Sequence, residues 1–90
     1  MPKKAQGVLP NYEEYRKMLA SEIGSRIRDK RIAINFTQET LRAKLELERV
    51  HISRSHYSRI ELGENLPDAI LIIALSRILE VPPNWLLLGE

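Results

Sequence analysis

An all-α fold of five helices is predicted for this 90-residue chain by three features of its sequence. Apolar residues recur three or four positions apart, the repeat of a helix with one buried face, and no segment alternates as a half-buried strand would. Residues suited to capping a helix, Thr37, Ser53 and Asp68, stand before such segments, while Asn35, Gly63 and Gly89, which tolerate a left-handed backbone, stand after them. The segment AILIIALSRILEV, from Ala69 on, is apolar enough to form the centre of a small core.

Taken in order, residues 1–10 carry Pro, Gly and Lys without periodicity and are expected to be a disordered tail. Residues 11–90 are expected to form a single domain, with residues 11–22 as an N-terminal helical extension. Asn11 and Glu14 have the spacing of a capping box. Tyr12, Tyr15, Leu19, Ile23 and Ile27 follow as a stripe down one face, which reads first as core packing. Because Gly weakens a helix interior, the stripe is expected to break near residues 21–24, which would make a sixth helix. The segment GSRIRDKRIAI then holds Arg26, Arg28, Lys30 and Arg31 against the single acid Asp29. Asn35 ends it, and Phe36, the one Phe in the chain, is expected to anchor in the core.

Thr37 opens the next helix, with Leu41 and Leu45 as its buried face. This helix is expected to run to about Glu48, with residues 49–52 crossing back to a second start at Ser53. From there Tyr57 and Ile60 point inward, while Arg54, Ser55, Ser58 and Arg59 point outward. A loop of residues 64–67 leads to the Asp68 cap. In the helix after it Ile70, Leu71, Ile73, Ala74, Ile78 and Leu79 leave little polar face. Pro82 and Pro83 stop that helix and start a last short one through Trp85, Leu86, Leu87 and Leu88. Three consecutive Leu cannot all face one core.

Composition narrows the function. The hydrophobic share is 43%, the charged share 29% and the net charge only +2, so any nucleic-acid binding must come from how charge is distributed. Cys is absent, which excludes disulfides and thiolate zinc sites. No run approaches the roughly 20 apolar residues of a membrane span, and no signal peptide is evident; a cytoplasmic protein is expected. His51 and His56 are poorly spaced for a shared metal, no carboxylate is placed to make His56 catalytic, and neither cofactor nor small-molecule ligand is expected.

Three stretches, GSRIRDKRIAINFTQETL, ISRSHYSRIELG and ILEVPPNWLLLG, fall in the order found in the DNA-binding domain of phage lambda-type repressors, the XRE helix-turn-helix group. The chain resembles that family over roughly residues 21–90. It departs from the pattern in a longer connection between Leu45 and Ser53, in Asn35 where Gly is common, and in Pro82 where a capping Ser is usual. The resemblance implies a compact five-helix, lambda-repressor-like domain whose third helix enters the major groove of double-stranded DNA. It implies that Gln38 meets the phosphate backbone and that Arg54 and Ser55 lead at the base edges, with Ser58 and Arg59 deeper along the same face. His56 is counted with this set. It also implies that Arg31 pairs with Glu61.

The chemistry of the outward residues agrees on its own terms. Arg presents two donors matched to guanine O6 and N7, and Ser adapts to donor or acceptor. The expected function is a sequence-specific transcriptional regulator, a repressor, acting as a homodimer on a two-fold operator. The alternative is a protein-interaction module of the same fold, such as an antitoxin or adaptor. Glu46 and Glu48, close to the lengthened connection, speak for the alternative because they would repel phosphate. The last helix is the first candidate dimer surface and residues 12–19 are the second.

Overall fold

The computed structural model describes residues 8–90, so residues 1–7 of the expected tail lie outside the described residues. Five helices follow one another: α1 (Val8–Ala33), α2 (Gln38–Leu47), α3 (Arg54–Glu61), α4 (Ala69–Leu79) and α5 (Pro83–Leu88). No helix among them is long and apolar enough to cross a membrane.

The expected break near residues 21–24 is absent, because α1 runs continuously from Val8 to Ala33. Gly24 is a point of close approach. A Cβ placed there would overlap the backbone carbonyl of Ile60 and stand 2.8 Å from that of Glu61. The end of α3 therefore rests directly on the backbone of α1, and packing across this contact offsets the roughly 1 kcal/mol that Gly costs in a helix. Asn11, expected as a cap, lies inside the helix.

The stripe on α1 divides. Ala20, Ile23 and Ile27 are buried, whereas Tyr12 is 59% exposed and Tyr15 56%. The core expectation thus fails for the two Tyr, since the body of the domain does not reach the first turns of α1. Around Ile23 and Ile27 the core gathers Leu41, Leu45, Tyr57, Ile60, Leu75, Leu79 and Leu86. Helix α4 is less enclosed than its composition suggests. Leu71, Ile72, Ala74, Leu75 and Leu79 are buried, but Ile70 and Ile73 face outward. Phe36 packs at the margin of the core, with Lys44 Nζ 5.3 Å from its ring centre. Of the three terminal Leu, only Leu86 is buried.

The helix ends follow from local chemistry. Thr37, Ser53 and Asp68 each accept a hydrogen bond from a first-turn amide of the helix they precede. Asn35, Arg49 and Gly63 take the left-handed backbone just beyond α1, α2 and α3. In each case the next amide reaches back to close the last turn: Phe36 to Arg31, Val50 to Leu45 and Glu64 to Arg59. The C-terminus of α5 is held from outside. Arg26 donates through Nε to the Leu86 carbonyl and through Nη2 to that of Leu87, both at 3.0 Å.

Candidate nucleic-acid interface

The unit of interest is α2, the connection after it, and α3. The left-handed Arg49 turns the chain out of α2, and Val50 and Ile52 fold back against the core. Arg42, on α2, donates through Nε to the Ile52 carbonyl at 3.1 Å. The lengthened connection is therefore pinned to α2 one residue before the Ser53 cap, where Ser53 Oγ accepts from the His56 amide at 3.1 Å.

Helix α3 presents two faces. Tyr57, Ile60 and Glu61 are buried; Arg54, Ser55, His56 and Arg59 are exposed, and Ser58 is half-buried. Four of the five α3 residues expected to read DNA thus share solvent with one another, starting at the first turn.

Gln38 is elsewhere. Its side-chain amide does not project freely but donates through Nε2 to Glu61 Oε1 at 3.0 Å. Glu61 is only 6% exposed and carries a further set of partners. Arg31 approaches it as a fork, Nε to Oε2 at 2.7 Å and Nη2 to Oε1 at 3.0 Å, and Tyr57 donates its hydroxyl to Oε2. Arg31 also donates through Nη1 to the Phe36 carbonyl at 2.8 Å. Burial alone would raise the Glu61 pKa, but hydrogen bonds from Arg31, Tyr57 and Gln38 outweigh it and hold the carboxyl below its ordinary value. For Tyr57 burial acts first and Glu61 second, and both push the phenol above its usual range. One charged, fully partnered centre therefore ties α1, α2 and α3 together beneath the outward face.

The basic stretch of α1 is partly consumed by such work. Arg26 holds α5 and Arg31 holds Glu61, so neither guanidinium is free to meet phosphate. The acids near the connection are also engaged: Glu46 Oε2 lies 3.2 Å from His51 Nδ1 and Glu48 Oε1 lies 3.3 Å from Arg77 Nη1. The Arg77 guanidinium offsets part of the Glu48 charge toward a duplex.

Sequence reasoning missed Tyr57 and Gln38 as partners of Glu61 and Arg42 as the clamp on the connection. The four-residue step from Tyr57 to Glu61 was the available signal for the first, since such pairs meet on a helix. It also missed a cleft of about 300 Å³ beside α3, lined by residues that include Arg49, His51, His56, Leu66 and Ile70.

A model of the helix-turn-helix family matches residues 27–86, which takes in everything from the last turns of α1 to α5. The chain is also similar to the HTH-type transcriptional regulator DicA of Escherichia coli (strain K12), with 35% identity over 68 residues, 76% of this chain and 47% of that protein. It thus spans about half the length of this curated relative. No solved structure matches it significantly.

Proposed function

Because the chain belongs to the helix-turn-helix family, in its lambda-repressor (XRE) type, we propose that it is a DNA-binding transcriptional regulator that represses by occupying promoter sequences. In this reading α3 lies in the major groove. Arg54 and Ser55, in its first turn, meet base edges, and His56, Ser58 and Arg59 extend the contact. The name of the relative, a transcriptional regulator, supports the same function.

The observation that carries the reading is the contrast between the two faces of α3. The outer face offers Arg54, Ser55, His56 and Arg59 to solvent, while the inner face is anchored by Tyr57, Ile60 and the Arg31–Glu61 pair. A reading helix needs both, because side chains discriminate bases only when their backbone is held in a fixed pose. Gln38 enters as a support of Glu61 rather than as a primary phosphate contact.

Selection from random duplexes followed by gel shift tests the proposal. A short enriched sequence bound with an affinity that falls as salt rises is the expected result. Failure to enrich any sequence, with no shift at low salt, would favour the second reading, a protein-interaction module. The outward Ile70 and Ile73 of α4 are the observation on that side.

A further inference from the structure

We propose that the cleft beside α3 is a binding site for a small amphipathic monocarboxylate, an aromatic or medium-chain acid, held by Arg49 and His56. The cleft has a volume of about 300 Å³ and is lined from the connection, from α3 and from the start of α4. These residues converge only on folding, so nothing in their spacing pointed to a ligand.

The first observation is the division of the lining. Ile60 and Leu71 belong to the buried core, Leu66 is half-buried and Ile70 is exposed, and together they give the cleft an apolar surface. Arg49 and His56, both exposed, line the same cleft. An apolar concavity with a few polar groups is the usual make-up of a small-molecule site. The volume is about twice that of an apolar cavity that takes benzene, roughly 150 Å³, which leaves room for about ten to twelve non-hydrogen atoms.

The second observation is charge. Arg49 has no carboxylate partner among the described residues, whereas Arg28, Arg31, Arg42 and Arg77 each pair with an acid. The His56 ring is also unpartnered among the described residues; only its backbone amide is engaged, by Ser53. The other polar side chains at the cleft are occupied. His51 Nδ1 lies 3.2 Å from Glu46 Oε2, and Asp68 Oδ1 accepts from the Leu71 amide at 2.9 Å. A guanidinium presents a fork matched to a carboxylate, and an imidazole adds one donor. The Asp68 charge repels a second anionic group, which makes the fitting occupant a monoanion.

The third observation is the backbone of Arg49, which is left-handed at φ 68°. Gly adopts that conformation freely and Arg does not. Strain of this kind gathers at ligand-binding positions. What Arg supplies there and Gly lacks is a cation at the cleft.

His56 also belongs to the outward face of α3, so an occupant covers part of that face. This clause alone rests on the proposed DNA reading. Within it, the acid is an effector that weakens binding to the preferred sequence.

Octanoate and 4-phenylbutyrate are the probes, titrated into the full chain without DNA by calorimetry and by amide NMR. Both are expected to bind with a dissociation constant below ~1 mM and to shift the amides of residues 49–52, 56 and 70–71. Octylammonium and suberate, a cation and a dianion of the same length, should bind at least about tenfold more weakly than octanoate. Arg49→Gly should lose about tenfold in octanoate affinity while its denaturation midpoint rises, which separates a ligand contact from a structural one. Ile70→Asp, at an exposed position near the start of α4 where an acid suits the helix, should abolish binding. Four results overturn the site: neither acid binding at millimolar concentration, shifts centred on Leu87 and Leu88, octylammonium binding as tightly as octanoate, or undiminished affinity in Arg49→Gly. In a gel shift with the selected duplex, saturating octanoate should weaken wild-type binding about tenfold and leave Ile70→Asp unaffected. An unchanged wild-type shift overturns the effector role. If no duplex is selected, the DNA reading fails and calorimetry still decides the site.

Discussion

Arg31 and Glu61 meet in a fork of two hydrogen bonds, 2.7 Å and 3.0 Å long, with side chains 11% and 2% exposed. Tyr57 and Gln38 complete the carboxylate, so its oxygens face donors from three helices. Taking one member away leaves the other's charge unpaired in a site largely shielded from water. Such a loss costs about 3–5 kcal/mol, against about 1 kcal/mol or less for exposed pairs. Glu61→Ala should therefore destabilise strongly, while Glu64→Ala on the exposed turn should stay within about 0.5 kcal/mol of wild type. Urea melts of the two variants decide the matter, and equal midpoints would refute the role given to Glu61.

The same centre makes stability depend on pH, with a definite sign. The Glu61 carboxyl is held below its ordinary value, so at mildly acidic pH the unfolded chain binds a proton that the folded chain does not. The stability it lends is present above the unfolded value, about 4.3, and is lost as pH falls through the lower folded value. Thermal melts from neutral to acid pH should show wild type losing stability there. A Glu61→Gln variant should be less stable at neutrality and lose less on acidification. At the other extreme, Tyr57 is held protonated, so its contribution is lost as pH rises above about 10, where the unfolded phenol ionises.

Backbone geometry yields a pair of opposed substitutions. Gly24→Ala should gain helix propensity of up to about 1 kcal/mol and still destabilise. The new Cβ overlaps backbone that cannot move without displacing α3, and overpacking of this kind costs about 1–3 kcal/mol. Arg49→Gly should stabilise by about 0.5–1 kcal/mol, because Arg49 holds a left-handed backbone that Gly adopts without steric cost. Denaturation midpoints moving in the same direction for both would contradict this.

What was legible in the sequence was local. Thr37, Ser53 and Asp68 cap amides within three residues of themselves, so their chemistry could be read without the fold. The inward pair Tyr57 and Ile60 and the outward set on α3 follow from helical spacing alone. What was not legible depends on elements far along the chain. Gly24 looked like a break because its reason, the end of α3, is brought against it only by folding. Tyr12 and Tyr15 continue the spacing of Ile23 and Ile27, but spacing does not say how far the domain body extends along a helix. Gln38 looked available to phosphate because nothing nearby in sequence revealed the buried carboxylate it serves.

The reading head and its support can be separated by two substitutions that leave the core alone. Arg54 is exposed, so Arg54→Ala should barely alter stability but should lose about 1–3 kcal/mol on the preferred sequence and relax preference at one base pair. Arg42 reads nothing in this account. Its Nε fixes the Ile52 carbonyl and so the point from which Ser53 starts α3. A lengthened connection that merely bulged aside would tolerate Arg42→Ala without effect on recognition. With the clamp in place, the connection sets where α3 begins. Arg42→Ala should then weaken preference across several positions at once rather than at one, while affinity for random duplex changes little. Binding profiles of the two variants against a library of single-base changes make the comparison. If Arg42→Ala retains the full wild-type profile, the connection is passive and α3 is held by the Glu61 centre alone.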